Sequence, residues 1–270
     1  MIMNLHLVMP MALNWYRYIL QLSLIGDITM SQFNLKPLIL AGVLFASPFA
    51  HATLEEGIIA ANEGRFEYAL KEFEYLADKG FTPGIYELGK LYEGGFGVVR
   101  DYHKAAQLYQ QGVKKNHVDS MFALAVLYDE GKGVKLDKQM ALSLFEKAAN
   151  KNLPAAQFNL GVMYANGDGV SHDFELAKKW YEKAAANNYS LAQFNLALMY
   201  FEGLGMPKDL EKSYIWNTIA EYNGNMQASH SRKLDERKML PKEVEEAKEK
   251  ADAIYARILA GTYAGEGRLF

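Results

Sequence analysis

The sequence predicts an all-α fold: a right-handed superhelical solenoid of about five helix-loop-helix repeats, closed by a C-terminal capping helix pair. Three observations carry this. A glycine-containing decapeptide recurs as "YEGGFGVVRD", "YDEGKGVKLD", "YANGDGVSHD" and "YFEGLGMPKD", its tyrosines Tyr92, Tyr128, Tyr164 and Tyr200 each 36 residues apart. The segments between these loops carry apolar residues at helical spacing. An aspartate closes every loop, where a helix N-cap belongs.

The loops themselves read as turns. Gly97, Gly133, Gly169 and Gly205 hold one position, preceded by Phe96, Lys132, Asp168 and Leu204. A ligand cradle needs a fixed chemical group, and this position takes an aromatic, a cation, an anion and an aliphatic. What stays constant is glycine, the residue that enters positive φ without steric penalty.

Each unit is then helix, loop, helix. Leu160 and Tyr164 lie four apart on a first helix, and Leu196 and Tyr200 repeat the spacing. On the second helix Ala177, Trp180, Tyr181 and Ala184 form a stripe at i, i+3, i+4, i+7. Asp101, Asp137, Asp173 and Asp209 are the expected N-caps. Gly89, Ala125, Gly161 and Ala197 share a slot, as do Ala105, Ala141, Ala177 and Ser213. A mid-helix glycine costs about 1 kcal/mol against alanine, so Gly89 and Gly161 imply a neighbouring helix that leaves no room for a side chain. A helix pair cannot bury its apolar face alone, and a row of them shares one core.

The ends depart from the period. Residues 53–82 keep the second-helix register, with Ala69 and Phe73 36 residues before Ala105 and Tyr109, but their loop shrinks to a turn at Gly64. Residues 83–222 hold the full repeats, and residues 223–270 read as capping helices, broken at Pro241, and a tail. There "KEVEEAKEKADA" reads as a solvated face with Lys242–Glu246 and Glu246–Lys250 pairs.

Ahead of the repeats, residues 36–52, "KPLILAGVLFASPFAHA", show the order of a secretory signal: a lysine, an apolar run, then small residues at Ala50 and Ala52. The run would make a helix of about 21 Å, short of a hydrocarbon core of about 30 Å. The signal spans residues 30–52, with cleavage after Ala52, and Met30 is the expected start of translation, so residues 1–29 read as an over-extended start. The competing reading is an anchor over residues 5–26, where Arg17 near the middle costs about 2.5–3.5 kcal/mol. Export with cleavage to the periplasm or beyond is preferred, with no stable membrane insertion afterwards.

Setting aside Arg17, Lys36 and Asp27 leaves 27 basic and 31 acidic residues, a formal charge of −4. This gives no electrostatic case for nucleic acid or anionic lipid. The absence of cysteine excludes disulfides, thiol catalysis, thiolate metal sites and lipidation at a cysteine. No serine has a lysine three residues on, and Gly-x-Ser-x-Gly is absent. His103, His117, His172 and His230 lack metal-site spacing and read as surface groups. The expectation is therefore no enzyme, no cofactor and no metal.

The pattern A-x-x-x-L-G-x-x-Y-x-x-G-x-G-V-x-x-D-x-x-x-A-x-x-W-Y-x-x-A-A resembles that of Sel-one-like repeats, relatives of the tetratricopeptide repeat. The third copy fits best, through Ala156, Leu160, Gly161, Tyr164, Gly167, Gly169, Val170, Asp173, Ala177, Trp180, Tyr181, Ala184 and Ala185. The resemblance covers roughly residues 54–222, and the first unit reads as a tetratricopeptide-like N-terminal cap. It implies a non-enzymatic adaptor that holds a protein or peptide partner on its concave surface, here in the bacterial cell envelope. The alternative it implies is a secreted hydrolase binding β-lactams or cell-wall fragments, but that branch carries paired cysteines that this chain lacks. Candidate peptide-binding residues follow from the first-helix slots that line the concave face in tetratricopeptide relatives: Tyr86, Glu87, Lys90, Phe122, Phe158, Asn159, Phe194 and Asn195. An asparagine amide can pair with both groups of an extended backbone. The aromatics also suit a core between repeats, and the asparagines suit bonds to a neighbouring helix. The oligomeric state is left open by the sequence.

Overall fold

A computed structural model describes residues 53–263 and residue 265. The signal segment and residues 5–26 lie outside these. The described residues form twelve helices and no strand, within one compact unit, Thr53–Phe270.

The first pair is α1, residues 53–62, and α2, Phe66–Asp78, joined through the turn at Gly64 with φ +77°. Four pairs follow at a constant interval. Their first helices are α3 (Thr82–Gly94), α5 (Val118–Glu130), α7 (Pro154–Asn166) and α9 (Ser190–Glu202). Their second helices are α4 (Tyr102–Lys114), α6 (Lys138–Asn150), α8 (Phe174–Ala186) and α10 (Leu210–Tyr222). Each of these eight helices has 13 residues. The caps are α11 (Met226–Glu236) and α12 (Pro241–Leu259), with Pro241 in the first turn, where its missing N–H costs nothing. From α2 to α11 each helix packs on the next, and α12 packs on α10. The architecture is an α-solenoid.

The expected caps form. Asp101, Asp137, Asp173 and Asp209 each accept the backbone N–H three residues on, at 2.9 Å in every copy. The two glycines of each loop do different work. Gly95, Gly131, Gly167 and Gly203 end the first helices in the left-handed region, at φ +68° to +75°. Gly97, Gly133, Gly169 and Gly205 also have positive φ, but face the start of the preceding unit's second helix. A Cβ on Gly169 would lie 2.6 Å from Lys138 Cβ, and one on Gly205 2.7 Å from Phe174 Cβ. The side chains His103 and Gln139 then bond Gly133 O and Gly169 O across the same junctions. The loop is a turn and an inter-unit contact at once.

Gly89 and Gly161 are explained as expected. A Cβ on either would lie 2.5 Å from the ring of Tyr109 or Tyr181, on the second helix of the same unit. In the cap, Ala247, Ala251, Ile254 and Ile258 are buried along one stripe of α12, the face opposite the charged one. Lys242 meets Glu246 at 3.3 Å, whereas Lys250 reaches Glu211 on α10 at 2.5 Å and ties the cap to the last repeat.

Candidate functional site

The candidate residues lie along the first helices. In α3, Tyr86 is half-buried, its ring centre 5.7 Å from that of Tyr109 and 5.4 Å from that of His117. Lys90 Nζ sits 5.5 Å over the Tyr86 ring and 2.8 Å from Glu87, so these three candidates form one cluster. Burial, with nearby carboxylates behind it, pushes the Tyr86 hydroxyl up to about 12, so the ring presents a neutral O–H. In α5, Phe122 lies 5.6 Å from Phe145, and in α7, Phe158 lies 5.8 Å from Tyr181 and 5.4 Å from Tyr189. The sequence left these aromatics a core role between repeats. Their ring contacts run both ways: residue 86 of the first helix faces residue 109 of the second, a pair the period copies, while Tyr86 and Phe158 also meet His117 and Tyr189 at the start of the next unit's first helix.

Asn159 is half-buried and its Nδ2 donates to Ala155 O of its own helix at 2.8 Å. That bond is local, not one to a neighbouring helix. Asn195 holds the same slot on α9 and is half-buried.

Phe194 differs from its counterparts. The position facing it, filled by Tyr109, Phe145 and Tyr181 in the other units, is Asn217. A cleft of about 110 Å³ opens there, lined by Phe194, Leu198 and Phe201 of α9, by Ser213 and Asn217 of α10, and by Leu234 and Asp235 of α11. Ser213, Asn217 and Asp235 are each at most 2% exposed. Asp235 Oδ2 accepts from Ser213 Oγ at 2.8 Å and from Asn217 Nδ2 at 2.9 Å. Burial pushes the Asp235 carboxyl above its ordinary range, partly offset by those two hydrogen bonds. Asn217 Oδ1 is buried and has no hydrogen-bond partner. The sequence carried one signal of this site, an asparagine where the period calls for an aromatic.

A buried polar ladder also escaped the sequence reading. Gln157 Nε2 donates to Ala149 O and Asn152 Oδ1 of the preceding unit, each at 3.2 Å. Gln193, one period later, donates likewise to Ala185 O and Asn188 Oδ1. Its signal was the repeated glutamine, flanked by Asn116, Asn152 and Asn188, which all take positive φ.

The histidines are dispersed. His103, His172 and His230 are exposed, and His117 caps α5 through Nδ1 to Ser120 N at 3.3 Å. Burial lowers the His117 imidazole below its ordinary range, which favours the neutral form that can accept this bond. Among the described residues no three His, Asp or Glu side chains converge on a metal-sized site, and no helix is long and apolar enough to cross a membrane.

These features define a helix-pair repeat protein. Four Sel1 repeats match residues 82–117, 118–153, 154–189 and 190–225. The chain belongs to the Sel1 repeat family. The crystal structure of a Sel1 repeat protein from Oxalobacter formigenes is 27% identical, covering 80% of this chain and 91% of that one, with TM-score 0.66. An immunity protein from Pseudomonas aeruginosa is 20% identical over 82% of this chain and 85% of its own, with TM-score 0.51, a likeness of fold. No curated protein matches the chain. Sel1 repeats are generally scaffolds for protein interaction and typically non-catalytic.

Proposed function

We propose that this chain is an exported, non-enzymatic scaffold that binds a protein or peptide partner along the concave face of its first helices, in the bacterial cell envelope. The observation that carries the reading is the first-helix row itself. Tyr86, Phe122, Phe158 and Phe194 recur every 36 residues, all half-buried and so presenting part of each ring outward. Beside them the next slot changes along the row, from Glu87, with Lys90 near it, to Ala123 and then to Asn159 and Asn195. A constant apolar rail with variable neighbours suits an extended chain, whose backbone is uniform and whose side chains are not. Export is supported by the signal-like segment ending at Ala52, and Thr53, the expected new N-terminus, is also the first residue of the compact unit.

The experiment is capture from envelope extracts by the protein starting at Thr53, followed by mass spectrometry. The expected result is a retained protein or peptide, with retention weakened by Lys90→Ala and Asn195→Asp. Turnover of a β-lactam or cell-wall fragment by the pure protein, with nothing retained, would overturn the reading.

A further inference from the structure

We propose that the cleft between α9, α10 and α11 is a recognition pocket for a primary ammonium group on an aliphatic stem, the lysine side chain of a bound protein partner. The choice of occupant rests on the scaffold reading above; the pocket chemistry does not.

The cleft exists because the repeat is broken there. In the three preceding units a ring on the second helix closes against the first-helix aromatic, at 5.7, 5.6 and 5.8 Å. Asn217 is smaller than a ring, and α11 supplies Asp235 in place of another repeat. Two buried polar side chains thus stand at a position that the other units fill with hydrocarbon, and burying such groups is costly unless they are bonded.

The polar groups make a site of one kind. Ser213 Oγ donates to Asp235 Oδ2, and Asn217 Nδ2 donates both to Asp235 Oδ2 and, at 3.5 Å, to Ser213 Oγ. Two acceptors are left over on the cleft floor, the orphan Asn217 Oδ1 and the Asp235 carboxylate, and the Ser231 hydroxyl on the wall can accept as well as donate. The complement of an acceptor-rich site with one buried negative charge is a cation that donates and does not accept, which is what an ammonium is. Its bonds here would be charge-assisted, the stronger class. A divalent metal is a poor fit, since the described residues bring no three metal-capable side chains together.

The walls suit the stem. Phe194, Leu198, Phe201 and Leu234 flank the polar floor, and long amines bury their methylenes on such surfaces while the charged head finds its partners. A volume of about 110 Å³ is roughly three to four times the share of liquid volume taken by one water, the size of a side-chain tail. Leu198 and Leu234 are 43% and 41% exposed, so the mouth is open to solvent. Glu202 also lines the cleft, and Lys238 Nζ lies 4.2 Å over the Phe201 ring. Phe194 is both wall of this cleft and last member of the first-helix row, so a chain lying on that row reaches it.

The test is a titration of the isotope-labelled protein with Nα-acetyl-lysine methylamide, read by NMR at the backbone amide signals of Phe194, Leu198, Leu234 and Asp235, which line the cleft and are present in every variant. Nα-acetyl-norleucine methylamide, with the stem and no ammonium, is the control. We expect saturable shifts, with lysine bound about 10-fold or more tightly than norleucine, the worth of one charge-assisted contact. Asn217→Phe, which restores the ring of the other units, and Asp235→Asn, which removes the charge, should each abolish saturation. If Asn217→Phe does not fold, Asp235→Asn carries the comparison. No saturable shift, equal binding of the two probes, or binding that survives both variants would overturn the pocket. Binding of 1,5-diaminopentane without binding of the lysine probe would overturn the partner lysine as occupant. Capture from envelope extract separates the two readings: a partner retained with no lysine binding sinks the pocket alone, and lysine binding with no partner retained sinks the scaffold alone.

Discussion

Asn187 Nδ2 donates to Gln157 Oε1 at 3.0 Å, joining the tail of one unit to a buried glutamine at its head. Gln157 is 1% exposed and donates in turn to Ala149 O and Asn152 Oδ1 of the unit before. One period on, Asn223 Nδ2 donates to Gln193 Oε1 at 2.9 Å, and Tyr255 of the cap donates to Asn223 Oδ1 at 3.2 Å. A polar ladder therefore runs through the junctions of the later units and ends on α12.

The ladder should be worth measuring in a single rung. Met121 occupies the Gln157 slot one unit earlier, so Gln157→Met imports a residue the architecture already accepts. It gains apolar burial and removes three hydrogen bonds, each worth about 0.5–1.5 kcal/mol net. The expected outcome is a loss of about 1–2 kcal/mol in denaturant unfolding, since the partners keep other bonds or reach solvent. A variant as stable as the wild type would mean that the ladder sets register without contributing stability.

The two glycines of the third loop have nearly equal φ, +75° at Gly167 and +70° at Gly169, but unequal space. Around Gly167 an added Cβ would find its nearest neighbour at 3.5 Å, whereas at Gly169 it would lie 2.6 Å from Lys138 Cβ. Asparagine tolerates the left-handed region, so it isolates the steric difference. Gly167→Asn should cost less than about 1 kcal/mol and Gly169→Asn about 2 kcal/mol or more, the range for strain that a packed neighbour cannot relieve. Asp168→Lys, which copies the preceding loop, should stay within about 0.5 kcal/mol. Thermal melts of the three variants decide this, and a wild-type melt raised by calcium or phosphate but lost in Asp168→Lys would make the loop a binding site.

The fold was legible because its signals repeat. One glycine or one Asp N-cap means little, but Asp101, Asp137, Asp173 and Asp209 at one interval fix where each second helix starts. The polar ladder was harder to see, since Gln157 in a helix pattern reads as a surface residue until the units are stacked. The cleft was half legible: Asn217 breaks the series Tyr109, Phe145, Tyr181, and that break is visible in the sequence. Its partner Asp235 comes from α11, outside the period, so no spacing could place it. The aromatic slots recur visibly in the sequence, but which ring faces which depends on how neighbouring helices lie together, and spacing along the chain does not carry that.

Export predicts a mature N-terminus at Thr53, because Ala50 and Ala52 put small side chains where signal peptidase requires them. N-terminal sequencing of the protein from a periplasmic fraction is the measurement. Recovery of a membrane-bound form that still contains residues 5–26 would favour the anchored alternative.

Asp235 gives a pH dependence whose sign can be worked out. Burial is the largest influence and raises its pKa above the ordinary 3.8, against bonds from Asn217 and Ser213 and the charge of Lys238, which lower it. A carboxyl whose pKa is raised on folding holds its proton more tightly in the folded chain than in the unfolded one. Its ionisation therefore subtracts from stability. The deficit is complete above the folded-state pKa, shrinks as pH falls through that value, and is gone below the unfolded one. Asp235→Asn removes the charge and keeps an oxygen to accept from Ser213 and Asn217. The variant is expected to melt at or above the wild-type temperature at about pH 7, with the gap narrowing as the pH is lowered to about 4. The comparison must be the difference between the two proteins, since the other carboxylates titrate alike in both. If the variant is the less stable at neutral pH, or the gap widens on acidification, the ionised carboxylate is a net stabiliser. The cleft would then be a structural junction between α10 and α11, held together by its own hydrogen bonds.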